Sequence, residues 1–274
     1  MSDQAMTAQE SRRTTKLYGR TGDENTLDEL ERSPEIRRFY PVLAQAARGV
    51  SSPQIRNMGT VAGDLCQRPR CWYYRQGFGL LAMQEGKPLV PDGENKYHAI
   101  FGGGPAYFVS PSSLAPILIA LDAKVKLHGP EGARELSVQD FFVTPKSEQE
   151  SEHALRPGEI VTEILAPHPG DVKMAVYEVR QKEALDWPLA AAAVVLKLDG
   201  GNVQSARVVL GHVAPVPWPS PEAEEALKGK SVNDDAAWEA GKAALSKATP
   251  LSKNAYKVQL ARVAVKRAIL RAAT

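Results

Sequence analysis

The chain of 274 residues has only two cysteines, Cys66 and Cys71. Two thiols in one short loop cannot build a disulfide framework, so a reducing compartment, the cytoplasm, is expected. They also fall short of the four soft ligands that a zinc or iron–sulfur site usually needs. The histidines (His98, His128, His153, His168 and His212) are scattered without ligand spacing, so no metal site is expected. No apolar run approaches the ~18 residues of a membrane helix. A formal net charge of +2 is too small to suggest nucleic acid or an anionic membrane as partner. The sequence has no Gly-x-x-x-x-Gly-Lys-Ser/Thr loop and no Gly-x-Gly-x-x-Gly fingerprint. It also lacks a Gly-x-Ser-x-Gly elbow and a His-Glu-x-x-His helix, so hydrolase readings have no motif, and no catalytic residue is assigned.

What is present is an ordinary globular composition, 43% apolar and 24% charged, in a length that suggests two domains. Ser11-Arg12-Arg13-Thr14-Thr15-Lys16-Leu17 has the look of a twin-arginine export signal. The polar run from Tyr18 to Asn25 follows it, where export would need an apolar stretch. Residues 1–25 show no hydrophobic periodicity and are expected to be a disordered tail. Thr26-Leu27-Asp28-Glu29 is a capping box that starts a helix. Ser33-Pro34 is a second helix start, with Ile36, Phe39, Tyr40, Leu43 and Ala46 on one face.

Residues 58–66 read as loop and short strand, and residues 67–104 as a long irregular segment. Ser112 or Ser113 can cap a helix with Leu114, Ile117, Leu118 and Leu121 on its apolar face. Residues 123–127, 160–165 and 174–179 read as strands, and Pro167, Pro169 and Gly170 mark a boundary near 170. Beyond it, two strand-like runs are joined by Asp199-Gly200-Gly201-Asn202, a hairpin signal. Three helical segments follow, near 221–228, 233–247 and 252–272. Strands followed by helices give an α+β class, divided as a tail (1–25), a first domain (26–170) and a second domain (171–274).

Gly59-Thr60-Val61-Ala62-Gly63-Asp64 is the stretch richest in chemistry. Its glycines allow a sharp bend and close backbone approach to a ligand, and the hydroxyl and carboxylate can bond ribose or phosphate-linked groups. On chemistry alone it is equally a structural bend. Gly102-Gly103-Gly104-Pro105 is a second phosphate candidate, with loop flexibility as the plainer reading. Arg68 and Arg70, between the cysteines, would lower a thiol pKa. Trp72-Tyr73-Tyr74 could stack on a flat ring or anchor an interface. The last helix carries Lys253, Lys257, Arg262, Lys266, Arg267 and Arg271 without an acid among them. It reads as a solvated face or a dock for an acidic partner, with Tyr256, Leu260, Val263, Ile269 and Leu270 as its core side.

Ser52-Pro-Gln-Ile-Arg-Asn-Met-Gly-Thr-Val-Ala-Gly-Asp-Leu65 resembles the flavin loop of FAD-binding subunits of molybdenum hydroxylases, such as those of xanthine dehydrogenase, carbon monoxide dehydrogenase and aldehyde oxidoreductase. Ser110 to Ala123, Pro157 to Ile164 and Arg180 to Leu189 resemble further family segments in the same order. The resemblance implies the second subdomain of a PCMH-type FAD-binding domain. A CO dehydrogenase flavoprotein C-terminal-like domain, a small antiparallel sheet with a helical bundle, would follow it. It implies FAD as cofactor, with Gly59, Thr60, Val61, Gly63 and Asp64 lining the flavin or its pyrophosphate. Ser113 would stand at a cofactor contact and Val161 at a backbone contact near the isoalloxazine.

The implied role is to pass electrons from iron–sulfur clusters through FAD to an outer acceptor. The implied partners are a molybdopterin-binding large subunit and a 2Fe-2S small subunit. Nothing in residues 1–60 resembles the family's Gly-Gly-Thr-Asp-like pyrophosphate loop, so the first FAD subdomain is expected to be lacking. Ala62 replaces a common glycine, Glu178 occupies a position often held by lysine, and Cys71 matches one ligand of an incomplete cluster set. A cofactor-free scaffold and a truncated remnant are the competing expectations.

Overall fold

A computed structural model describes residues 14–18, 25–182 and 185–274. Ser11, Arg12 and Arg13 of the export-like string lie outside the described residues. The first element is a strand, β1 (Thr14–Tyr18). It pairs antiparallel with a strand some 150 positions on, Thr14 opposite Pro167 and Lys16 opposite Leu165. Part of the segment expected to be disordered is therefore an edge strand, held by a non-local partner that periodicity within residues 1–25 could not reveal.

The capping box forms as expected at α1 (Leu27–Arg32): the Glu29 N–H donates to Thr26 Oγ1 and the Thr26 N–H to the Glu29 carboxylate. Ser33 caps α2 (Pro34–Phe39), but this helix stops short of the face read from the sequence. Tyr40 precedes Pro41, and a residue before proline is pushed out of the helical region; its φ of −133° and ψ of 53° break the run. A new helix, α3 (Pro41–Gly49), follows with Val42, Leu43, Ala46 and Ala47 buried. Two short helices come next, α4 (Pro53–Met58) and α5 (Val61–Leu65), where loop and strand were expected. Residues 67–104 hold a single helical turn, α6 (Trp72–Arg75), and a minimal hairpin of β2 (Met83–Gln84) and β3 (Lys87–Pro88).

A buried helix, α7 (Ala115–Ala120), leads into β4 (Lys124–Gly129), β5 (Gly132–Ser137), α8 (Val138–Phe141) and β6 (Ile160–Pro167). The first sheet has the order β1-β6-β4-β5 and is antiparallel throughout. The second is built from β7 (Lys173–Val179), β8 (Ala190–Asp199), β9 (Asn202–Gly211) and β10 (Trp218–Pro219), in the order β10-β9-β8-β7. Gly200 and Gly201 turn the β8–β9 hairpin with φ of 54° and 84°, the left-handed pair that a two-residue loop requires.

Three helices close the chain: α9 (Pro221–Leu227), α10 (Asp234–Ala244) and α11 (Tyr256–Ala273). They cover one face of the second sheet, where Ala190, Ala192, Val194 and Leu196 alternate toward Ala237, Ala261, Ala264 and Ala268. The opposite face, with Ala193 and Val195, joins the core of the first domain around α3, α7 and β6. Strand β8 is buried on both faces, hence its unbroken apolar run. The approach is close: a Cβ on Gly211 would lie 2.9 Å from Pro116 Cγ.

Candidate functional site

The glycine turn is built by two capping hydroxyls. Ser52 Oγ accepts from the Ile55 N–H and starts α4. Gly59 ends α4, its N–H donating to Ile55 O and its carbonyl accepting from the Leu27 N–H. Thr60 starts α5, with Oγ1 accepting from the Gly63 N–H at 3.0 Å. A side chain at either glycine would collide: a Cβ would fall 2.9 Å from Ile55 O at Gly59 and 2.9 Å from Thr60 Oγ1 at Gly63. Val61 is buried, Gly63 is exposed, and Ile55 and Met58 stand in solvent beside the turn.

Asp64 is 3% exposed, and its carboxylate is fully engaged by its own chain. It accepts from the Ser112 hydroxyl at 2.5 Å, the Leu114 N–H at 3.0 Å, the Ser113 N–H at 3.4 Å and the Gln67 amide at 3.0 Å. Burial pushes its pKa up and these four donors pull it down. Ser112 Oγ in turn accepts from the Ala115 N–H at the start of α7, whose N-cap is Leu114. Asp64 thus clamps the glycine turn to the segment carrying Ser113. A tertiary contact across 48 positions gives no local signal, so the sequence marked Asp64 as a ligand residue and missed its tie to Ser112. Val161 lies buried on β6, opposite Leu127, and shares a core with Val61.

Beside Ser113 is a narrow hollow bounded by Gly49, Val50, Ser51, Arg180 and the segment Leu185–Pro188. Its volume, about 20 Å³, is room for about one water. The Arg180 guanidinium donates to Gly49 O at 2.7 Å and pairs with Glu178, whose other oxygen, Oε1, is buried without a hydrogen-bond partner among the described residues. In the turn, the N–H groups of Gly59, Val61, Gly63 and Asp64 already donate to Ile55 O, Asn25 O, Thr60 Oγ1 and Thr60 O. A flat ring reaching Ser113 requires Leu185–Pro188 to move aside.

A larger cavity, about 410 Å³, lies between α6, the 186–189 segment and the start of α11. Lys257 is buried there, and its ammonium donates to the carbonyls of Tyr97, His98 and His212 at 3.3, 3.2 and 2.8 Å. Burial lowers its pKa to about 7. Burial and the nearby Lys257 hold His98 down at about 4 and His212 at about 3, so both imidazoles are neutral near pH 7. Cys71 Sγ lies 3.1 Å from His98 Nε2. The expectation that arginines activate the thiols fails: burial raises Cys71, and burial with Asp64 and Glu152 pushes Cys66 up to about 11.

The basic last helix is largely occupied by its own chain. Lys253 pairs with Glu94 and Lys266 with Asp234, Arg262 lies over Trp238, and Arg267 and Arg271 lie over Tyr177. Its core stripe is the small-residue series Ala261, Ala264, Val265, Ala268, Ile269 and Ala272, with Leu260, Val263 and Leu270 at its margins.

Residues 18–169 match the family model of the FAD binding domain in molybdopterin dehydrogenase. Residues 175–272 match that of the CO dehydrogenase flavoprotein C-terminal domain. The chain is 31% identical over 248 residues to the aldehyde oxidoreductase FAD-binding subunit PaoB of Escherichia coli, spanning 85% of this chain and 72% of that protein. It is 30% identical over 194 residues to the carbon monoxide dehydrogenase medium chain of Afipia carboxidovorans, spanning 69% and 66%. Among solved structures, carbon monoxide dehydrogenase from Hydrogenophaga pseudoflava superposes with a TM-score of 0.68 at 25% identity, covering 93% of this chain and 78% of that chain.

Proposed function

The chain belongs to the family of FAD-binding subunits of molybdopterin dehydrogenases, and from that premise we propose that it binds FAD as the electron-transfer subunit of a multi-subunit oxidoreductase. When bound, FAD supplies the redox chemistry that links one-electron clusters to an outer acceptor. This chain's residues hold and orient it. The exposed Gly63, whose N–H is taken by Thr60 Oγ1, lets the backbone of the turn approach the pyrophosphate end closely. Asp64 fixes that edge relative to Ser113 and touches the cofactor only indirectly. Val161 backs the ring end from β6.

A molybdopterin-binding large subunit would supply the electrons through a 2Fe-2S small subunit. Two free thiols, at Cys66 and Cys71, suit a cytoplasmic setting, and among the described residues no helix is long and apolar enough to cross a membrane.

The observation that supports this reading is the Asp64 clamp, a buried carboxylate joining two segments that we propose line FAD. A second reading, a cofactor-free docking subunit, is favoured by the small hollow beside Ser113, where Leu185–Pro188 stand. Titration of the purified chain with FAD separates them. Bound FAD with quenched flavin fluorescence supports the first. No retained flavin after incubation with excess FAD supports the second.

A further inference from the structure

Asp186, Trp187 and Pro188 line both hollows, but Ser113 borders only the small one. The 410 Å³ cavity adjoins the small hollow without reaching Ser113, and its volume is within the range that holds small-molecule ligands. Arg70 and Arg75 stand at its mouth, and among the described residues neither has a carboxylate partner. Arg70 lies 4.0 Å from the Trp187 ring centroid, so a cation already stacks on one wall. Trp72 and Tyr97 add aromatic surface, packed edge to face at 5.8 Å.

Three buried polar atoms on the lining lack a hydrogen-bond partner among the described residues: Trp72 Nε1, His98 Nδ1 and His212 Nε2. His98 and His212 are each only 3% exposed, and orphaned polar atoms at such depth are costly unless a ligand or water meets them. The cavity's one described carboxylate, Asp186, is consumed by the N–H groups of Gln181, Lys182 and Trp187. Its one ammonium, Lys257, is consumed by three carbonyls. What remains for a ligand is two guanidinium groups, the Trp72 indole N–H, one imidazole nitrogen each on His98 and His212, and flat apolar walls.

We propose that this cavity binds a small planar aromatic anion, its charged group between Arg70 and Arg75 and its ring against Trp72 and Trp187. The site does not include Ser113 and does not rest on FAD being bound. The test is isothermal titration calorimetry of the full chain with 2-naphthoate, its neutral isostere 2-naphthamide, and inorganic phosphate. The expected result is saturable binding of naphthoate, with the amide and phosphate each weaker by about tenfold or more, the usual worth of a charge-assisted hydrogen bond. Arg75→Gln and Trp187→Leu, each shown by melting to be folded, should weaken naphthoate by a similar factor. Ser113→Ala, at a residue that does not line the cavity, should leave it unchanged. Absence of naphthoate binding, or equal binding of the amide, would each overturn the proposal.

Discussion

Removing the Asp64 carboxylate should damage the fold and the proposed cofactor site together. In Asp64→Ala the Ser112 hydroxyl and the Leu114 N–H, both buried, lose their acceptor, and the Gln67 amide keeps only the backbone carbonyl of residue 64. A buried donor left unsatisfied costs about 1–3 kcal/mol, and relief from burying a charge offsets part of the sum. The net loss should be about 3–5 kcal/mol, a fall in melting temperature of roughly 6–20 °C for a chain of this size. Asp64→Asn keeps one acceptor oxygen but turns an amide N–H toward donors, so about 1–3 kcal/mol is expected. Urea denaturation followed by circular dichroism gives both values, and FAD titration of the folded fraction gives the second readout. If Asp64→Ala melts within about a degree of the parent, the carboxylate does not clamp the two segments. If FAD affinity is also unchanged, the assignment of Asp64 as a positioning residue fails.

Thr60→Ala removes the acceptor for the Gly63 N–H and should cost about 1 kcal/mol, the usual loss of a helix cap, with FAD weakened in parallel. Gly241→Ala should cost about 1–3 kcal/mol, since its Cβ would fall 2.8 Å from Arg262 O where α10 crosses α11; a neutral melt would contradict that packing. His98 and His212, ordinarily near 6.5, are held at about 4 and about 3 in the folded chain. The unfolded chain then binds more protons below about 6.5, so stability present at neutral pH is lost as pH falls toward 4. A drop of a few kcal/mol between pH 7 and 5 is expected by urea titration. It should flatten in the His98→Gln, His212→Gln double variant, and an unchanged slope there would place the proton uptake elsewhere.

Local chemistry was readable wherever a signal and its partner lie within a few residues. The Thr26–Glu29 capping box, Ser33 before Pro34, and the Gly200-Gly201 hairpin each form as their spacing dictates. The break at Tyr40 was also written, in Pro41, but the apolar face running through it masked the signal. What could not be read depends on distant pairing. Strand β1 takes its register from β6, Asp64 takes its role from Ser112 and Leu114, and the Lys257 ammonium is held by carbonyls from residues 97, 98 and 212. The basic face of the last helix looked free because its counterparts, Glu94, Asp234, Trp238 and Tyr177, come from other elements. Family resemblance pointed to the turn at residues 59–64, while the geometry around it assigns Asp64 to clamping and Thr60 to capping.

The most direct test is the flavin content of the chain purified in the presence of FAD, alone and together with the proposed large and small subunits. The account predicts a yellow protein whose extracted flavin is FAD, with retention lost in Asp64→Ala. A colourless protein in both preparations, with no FAD recovered after incubation in excess, would contradict it.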